Sequence, residues 1–294
     1  MVTPDSWFNG GERVRVELSG SSFEVFCRTS GSGPWLTLLH GFPTSSWDWA
    51  KVAPTLERRF RLLCFDLLGF GDSEKPRRHR YTIFEQADLA EQLWRRFRIA
   101  ETGLVGHDYG STVAQELLAR ATARTLSAQL TSVVLLNAAV YAHLARPLLV
   151  QRLLATPLIG HLVARTTSGR LFARSLSSVF SERHPITSEE LAAHWLILQR
   201  RGGTRPILPG IASYMRERRV NATRWESALE GCDRPLSFVW GMADPRSGAH
   251  VADHVRARVP GARFTALEGV GHYPQLEVPD LVGAEIVAAF GASA

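Results

Sequence analysis

The sequence predicts an α/β fold: a mostly parallel eight-stranded sheet with helices on both faces and a helical lid inserted between the sixth and seventh strands. Three observations predict it. Short apolar runs alternate with stretches of helical periodicity, as a parallel sheet with crossover helices requires. Two adjacent strand-like runs open the chain with no helix between them. From Tyr141 to Gly231 the strand signal stops, and afterwards it resumes. At 294 residues, 45% apolar and 21% charged, the chain has the length and composition for a sizeable core.

Taken in order, "RVRVELS" and "SSFEVFCRTSG" read as an opening antiparallel pair. "WLTLLHG", "RLLCFDL", "ETGLVG", "SVVLLN", "PLSFVWG" and "ARFTALEG" are short apolar strands ending in glycine or polar residues, the pattern of parallel strands buried on both faces. Thr82 and Glu85 are spaced as a capping box opening the helix "YTIFEQADLAEQLWRRF". "YGSTVAQELLAR" puts Val113, Leu117 and Leu118 on one helical face. The expected core comprises residues 1–140 and 232–294. The lid, residues 141–231, consists of Arg-rich amphipathic helices broken by Pro147, Pro157, Pro185, Pro206 and Pro209. A helical block between two core strands belongs over the carboxyl ends of the sheet, where open α/β folds bind ligands.

The net charge is +6, and only Lys51 and Lys75 are lysines; the other cations are arginines. The lid holds 13 Arg against 6 Glu and no Asp, a charge of +7. No basic run is interleaved with aromatics, so a nucleic-acid partner is not expected and the basic lid reads as a solvated helical surface. Cys27, Cys64 and Cys232 are odd in number and lack C-x-x-C spacing, which argues against a disulfide framework and a zinc site. A reducing cytoplasm is the expected compartment. The opening "MVTPDSWFNGGERV" has no basic segment leading into an apolar run, so no secretory leader is expected. No apolar run reaches 18 residues; "RPLLVQRLLATPLIGHLVAR" comes nearest and is interrupted by Arg146, Arg152 and two prolines. It reads as helices covering a pocket, with a membrane-surface helix pair as the other reading.

The chemistry starts at "VGHDYGS". Gly106, Gly110 and Ser111 bracket Asp108 between a strand and a helix, the context of a nucleophile elbow. A serine there must lose a proton before attacking, whereas a carboxylate with pKa near ~4 is already ionised at neutral pH. Attack on an acyl group would give an unstable anhydride, but attack on an electrophilic saturated carbon gives an ordinary ester. The substrate should therefore carry a leaving group on such a carbon. Asp244 in "VWGMADPRSG" and His272 in "LEGVGHYPQLEVPD" follow in the order acid then base. Asp244 would orient His272, and His272 would activate water against the esterified Asp108. The backbone N–H groups of Phe42, in "LLHGFPTSS", and Tyr109 would hold the oxyanion. Leaving-group candidates are the phenols of Tyr214 and Tyr141 for an epoxide oxygen, and the Trp195 indole for a halide, with Tyr109 placed where such an indole would serve. His40 and Trp195 are candidate pocket residues, His40 foremost as a structural hydrogen-bonder of the oxyanion loop. No metal or organic cofactor is implied.

Together "HGFPTSSWDW", "FDLLGFGDSEKP", "VGHDYGS", "WGMADP" and "GHYPQLEVPD" resemble the α/β-hydrolase superfamily, in particular its Asp-nucleophile group of epoxide hydrolases and haloalkane dehalogenases. Within that group "YTIFEQA", "HDYGSTVAQELL", "ARPLLVQRLL" and "HYPQLE" look like the mesoderm-specific transcript proteins and their bacterial relatives. The resemblance implies Asp108 as nucleophile, His272 as base, Asp244 as acid, and Phe42 with Tyr109 as oxyanion donors. It also marks departures: dehalogenases usually carry Trp where this chain has Tyr109, and epoxide hydrolases use two lid tyrosines, of which Tyr214 matches one and Tyr141 is the substitute for the other.

The expected activity is hydrolysis of a hydrophobic epoxide to a vicinal diol, with water as cosubstrate, by a monomer or homodimer. Haloalkane dehalogenation is the alternative within the same mechanism. A catalytically idle binding or membrane-surface protein, acting through the basic lid, is the alternative from another class; the complete Asp108, Asp244 and His272 set argues against it.

Overall fold

The computed structural model describes residues 3–291. Its strands are β1 (Glu12–Leu18), β2 (Ser21–Gly31), β3 (Trp35–Leu39), β4 (Arg61–Phe65), β5 (Glu101–His107), β6 (Gln129–Leu136), β7 (Leu236–Gly241) and β8 (Arg263–Leu267). They form one sheet in the order β1-β2-β4-β3-β5-β6-β7-β8. The pairs β1–β2 and β2–β4 are antiparallel, and every pair from β4 to β8 is parallel. The expected mostly parallel eight-stranded sheet is what forms.

Burial explains the sequence pattern of each strand. Edge strand β1 alternates exposed and buried residues, because only one face is covered. Strand β7 is buried throughout. On β5 the neighbours Leu104 and Val105 pack into different core clusters, one on each side of the sheet. The helices Ile83–Arg96 and Tyr109–Thr122 supply one cluster, while Pro279–Gly291 supplies Val282 and Ile286 to the other.

The capping box expected at Thr82 is half formed. The Thr82 hydroxyl accepts the Glu85 N–H at 3.1 Å, but the Glu85 carboxylate turns away, to the Ser19 hydroxyl at 3.0 Å and to His79 Nε2 at 2.6 Å. A buried carboxylate gains more from two tertiary donors than from one cap N–H.

The chain runs from β3 outward to β4 and returns to β5 on the other side of β3, with Leu39 beside Gly106. Loops leaving β3 and β5 therefore diverge at the carboxyl edge and open the crevice where ligands bind in such sheets. Between β6 and β7 the chain holds only helical elements, from Ala142–Leu144 to Ala222–Glu230. Local chemistry starts them. Ser168 caps Gly169–Ser177, and Thr187 with Glu190 makes a complete capping box for Ser188–Leu198. The last helix packs on the core: Trp225 Nε1 donates to Glu116 at 2.8 Å, and Arg224 donates to both Glu116 oxygens at 2.8 and 3.0 Å. Ala222–Glu230 is thus the crossover helix joining β6 to β7, and Gly231 marks its end, beyond the end of the helices that overlie the sheet. Among the described residues no helix is long and apolar enough to cross a membrane.

Close backbone approach sets a sharp test of this architecture. A Cβ at Gly110 would lie 2.4 Å from the Leu39 carbonyl oxygen and 2.7 Å from that of His40, both backbone atoms that cannot step aside. Gly110→Ala should cost about 3 kcal/mol or more, read as a lowered Tm in thermal unfolding; an unchanged Tm would show that β3 and the following helix are not locked together here.

Candidate active site

Asp108 sits between β5 and the helix Tyr109–Thr122 at φ 46°, ψ −105°, a conformation that L residues avoid. Its surroundings enforce it. The Asp108 N–H donates to the Asn137 carbonyl at 3.1 Å and the Gly110 N–H to the His40 carbonyl at 3.0 Å, so both flanking strands pull the turn tight. The side chain thereby projects from the carboxyl edge of the sheet. Its Oδ2 accepts the Phe42 N–H at 3.2 Å. Tyr109 opens the helix, so its N–H is among the first-turn donors that have no intrahelical partner.

The structure brings Asp108, His272 and Asp244 together. His272 Nδ1 donates to Asp244 Oδ2 at 2.7 Å, and Nε2 faces Asp108 Oδ2 at 4.0 Å, too far for a hydrogen bond. Asp244 also accepts from Asn137 Nδ2 at 3.0 Å, the Ser247 hydroxyl at 2.6 Å and the Arg246 N–H at 2.8 Å. Asn137 additionally clamps Gly241 through both of its amide atoms, which ties the end of β6 to the end of β7. The His272 N–H donates to the Val179 carbonyl of the inserted segment at 2.9 Å, and its carbonyl pairs with His107 Nε2 at 2.8 Å. Burial pushes His107 down to about 3, so it is neutral and its Nε2–H is the donor.

All three central groups are buried. Burial would push the Asp108 carboxyl up, but the His272 imidazole and the Arg246 guanidinium facing it win, and the group lies well below the usual carboxylate range. Burial would likewise lower His272, yet Asp244 and Asp108 outweigh it and raise the imidazole to about 9. Near neutral pH the resting site therefore holds two carboxylates, an imidazolium and a guanidinium. Such a carboxylate can attack saturated carbon, and such an imidazole can deliver a proton and then take one from water.

Two cavities meet here. One is apolar, lined by Phe42, Leu154, Phe172, Leu176, Leu208 and Tyr273 among others. The other contains Asp108, His272 and Tyr214. Arg246 lines both. Tyr214 is buried, its ring tilted against those of Tyr109 and Phe42, and its hydroxyl has no partner. Burial and the Asp108 charge push its phenol up, so it keeps its proton at neutral pH.

The other expected leaving-group and pocket residues are not brought to Asp108. Tyr141 donates its hydroxyl to Glu230 at 3.2 Å and packs on His254, because its side chain follows the crossover helix rather than the cavity. Trp195 stands behind Phe172, with Arg205 over its ring, and lines neither cavity. The Tyr109 ring is wedged between Phe70 and Tyr214 and lines neither cavity, so only its backbone faces the site. His40 uses both ring nitrogens on backbone groups, Nδ1 donating to the Gly41 carbonyl at 2.9 Å and Nε2 accepting the N–H of Leu67 after β4 at 3.1 Å, so it braces two loops and lines neither cavity.

The sequence reading missed Asn137, His107, Ser247 and Arg246. Each had a faint signal: Asn137 ends an apolar strand, His107 precedes the elbow aspartate, and Ser247 and Arg246 lie three and two residues after Asp244. Among the described residues no group of three or more His, Cys, Asp or Glu side chains is arranged to hold a metal ion.

Because Asp108 is one of the charges holding the imidazolium, Asp108→Asn should lower the His272 pKa below about 9. Imidazole titration by NMR reads this directly; an unchanged value would assign the elevation to Asp244 alone.

Comparison with known proteins identifies the family. The family described as alpha/beta hydrolase fold matches residues 34–279. The putative hydrolase LipZ of Mycobacterium tuberculosis is 38% identical over 283 residues, covering 95% of this chain and 96% of the relative. The mesoderm-specific transcript protein of Mus musculus is 37% identical over 282 residues, covering 93% of this chain and 84% of the relative. Among solved structures, the epoxide hydrolase CorEH superposes with a TM-score of 0.74 at 21% identity, covering 96% of this chain and 99% of that one. A loop variant of the haloalkane dehalogenase DbeA from Bradyrhizobium elkanii does so with 0.75 at 22%, covering 96% and 97%. At such identities the two structures speak for the fold alone. Matched over most of its length by both the family and these relatives, the chain belongs to the alpha/beta hydrolase fold family.

Proposed function

We propose that this hydrolase opens hydrophobic epoxides to vicinal diols through an ester on Asp108. The observation that carries the reading is the unpartnered, buried hydroxyl of Tyr214 in the same cavity as the ionised Asp108. Asp108 attacks an epoxide carbon and the carbon–oxygen bond of the ring breaks. The freed oxygen takes the Tyr214 proton, and His272, resting as imidazolium, restores it. Forming the ester removes the Asp108 charge that helped to hold that proton on His272, so the imidazole becomes the base at the moment a base is needed. It then takes a proton from water, and the hydroxide attacks the ester carbonyl. The Phe42 and Tyr109 N–H groups hold the oxyanion. Collapse expels the diol alkoxide, which takes the proton of the new Asp108 carboxylic acid and leaves the carboxylate and imidazolium of the resting site. The helices between β6 and β7 serve as a lid that keeps bulk water from the ester.

Displacement of a halide is the second reading. Arg246 supports it, since a guanidinium facing Asp108 with a free Nε–H suits a halide as well as an alkoxide.

Two measurements test these roles. His272→Gln, incubated with aryl and alkyl epoxides and separately with haloalkanes, should retain the ester, seen by intact mass and localised to the peptide holding Asp108. An increase equal to the whole epoxide supports the first reading, an alkyl increase only from haloalkanes supports the second, and wild-type turnover would remove His272 from the mechanism. In that background Tyr214→Phe should slow ester formation from epoxides about 100-fold while leaving haloalkane displacement largely intact; an unchanged epoxide rate would rule out the phenol as proton donor.

A further inference from the structure

The cavity that holds Asp108 is lined by four arginines, Arg146, Arg218, Arg219 and Arg246, and Asp108 is its one acidic lining residue. Arg146 and Arg219 are exposed at its mouth, while Arg218 and Arg246 are buried, at 5% and 9% exposure. Among the described residues none of the four has a carboxylate oxygen within 4.0 Å. Other arginines of the same helical segment are paired: Arg200 with Asp72, Arg201 with Glu24 and Arg224 with Glu116. Arg152, Arg165, Arg170, Arg174, Arg183 and Arg216 of that segment also lack a carboxylate partner, but they are exposed; among the described residues Arg218 is the buried arginine of the segment, and it has none.

The two buried members make the point sharper. Arg218 donates to the neutral Thr112 hydroxyl at 2.6 and 3.2 Å and lies over the Tyr214 ring at 4.9 Å. Arg246 Nε has no partner. Inside the site Asp108 and Asp244 balance His272 and Arg246, which leaves Arg218 with no countercharge. A buried guanidinium without one is costly, and proteins rarely keep such a group unless something pairs with it. The planar fork of arginine suits two-oxygen anions.

We infer that the substrate is an amphiphilic anion: a carboxylate or phosphate head group held by Arg218 and Arg219, an apolar portion in the neighbouring cavity, and the electrophilic carbon between them at Asp108. Arg246, which lines both cavities, marks the junction where head and tail separate. This deepens the proposed reaction and rests on it for the electrophile, but the head-group site stands on the arginines alone.

The test separates the two. Wild-type protein is titrated calorimetrically with octanoate, octyl phosphate and 1-octanol. One of the anions should bind about tenfold or more tighter than the alcohol, and the tighter of the two identifies the head group. Arg218→Gln and, at an exposed position that folding does not need, Arg219→Gln should each remove most of that preference. Equal binding of all three probes, or a preference untouched in both variants, overturns the anion site. In parallel, His272→Gln is incubated with an ω-epoxy fatty acid and its methyl ester. Faster ester formation from the acid supports the inference, and equal rates overturn it while leaving the Asp108 chemistry intact. An anion preference in calorimetry with no adduct from either compound keeps the head-group site and overturns the nucleophile reading.

Discussion

Asp108 is held at φ 46°, ψ −105° because three close approaches leave its backbone nowhere else to go. A Cβ on Gly106 would meet the Gly110 carbonyl at 2.9 Å, one on Gly110 the Leu39 carbonyl at 2.4 Å, and one on Gly41 the His107 ring at 2.7 Å. These glycines let β3, β5 and the following helix converge. The strain at one residue, of order 1–3 kcal/mol, is carried by the surrounding sheet. Everything else at the site takes its place from this turn: Phe42 can reach Asp108 only because β3 lies directly beside β5, and His272 only because β8 and the inserted helices bring its loop over the same edge.

Charge is the second organising constraint. Two carboxylates buried side by side would not both ionise, and here an imidazolium and a guanidinium stand against them. Asp244 is fixed by four donors, including His272 Nδ1. Asp108 has one backbone donor and an open face towards the cavity. The same residue type thus stands in two different environments, one saturated with donors and one open to the cavity.

The inserted helices also build part of the site. They hold the His272 loop directly: the Val179 carbonyl accepts the His272 N–H, and Ser181 donates to Glu277, which also accepts the Gly271 N–H at 2.8 Å. They contribute Tyr214 from one helix and the wall of the apolar cavity from another. Among their arginines Arg200, Arg201 and Arg224 are held in ion pairs, whereas buried Arg218 lines the Asp108 cavity without one, a difference that the uniform basic composition conceals.

Much of this was legible along the chain. Strand periodicity, the helical interruption after β6, the bracketed aspartate and the order of Asp244 and His272 depend on local spacing and on the short menu of strand–turn–helix connections, so one sequence determines them. The half-formed cap at Glu85 and the crossover helix within the expected lid were not legible, since each is settled by a partner more than 60 residues away, Ser19 in one case and Glu116 in the other. The same reason separates Tyr214 from Tyr141 and Trp195. Tyr214 opens a short helix, Trp195 lies within Ser188–Leu198 and Tyr141 precedes the turn Ala142–Leu144, and only their tertiary contacts decide which side chain meets Asp108, Glu230 or Phe172. Arg246 is the extreme case: one basic residue in a loop, it joins the site because Asp244 accepts its backbone N–H and its side chain lines the cavity that holds Asp108. Local spacing was enough to pick out Asp108, Asp244 and His272 as the central cluster; which groups surround them was decided by tertiary packing, because contact across the insert is fixed by how its helices pack on the core and not by spacing along any one of them.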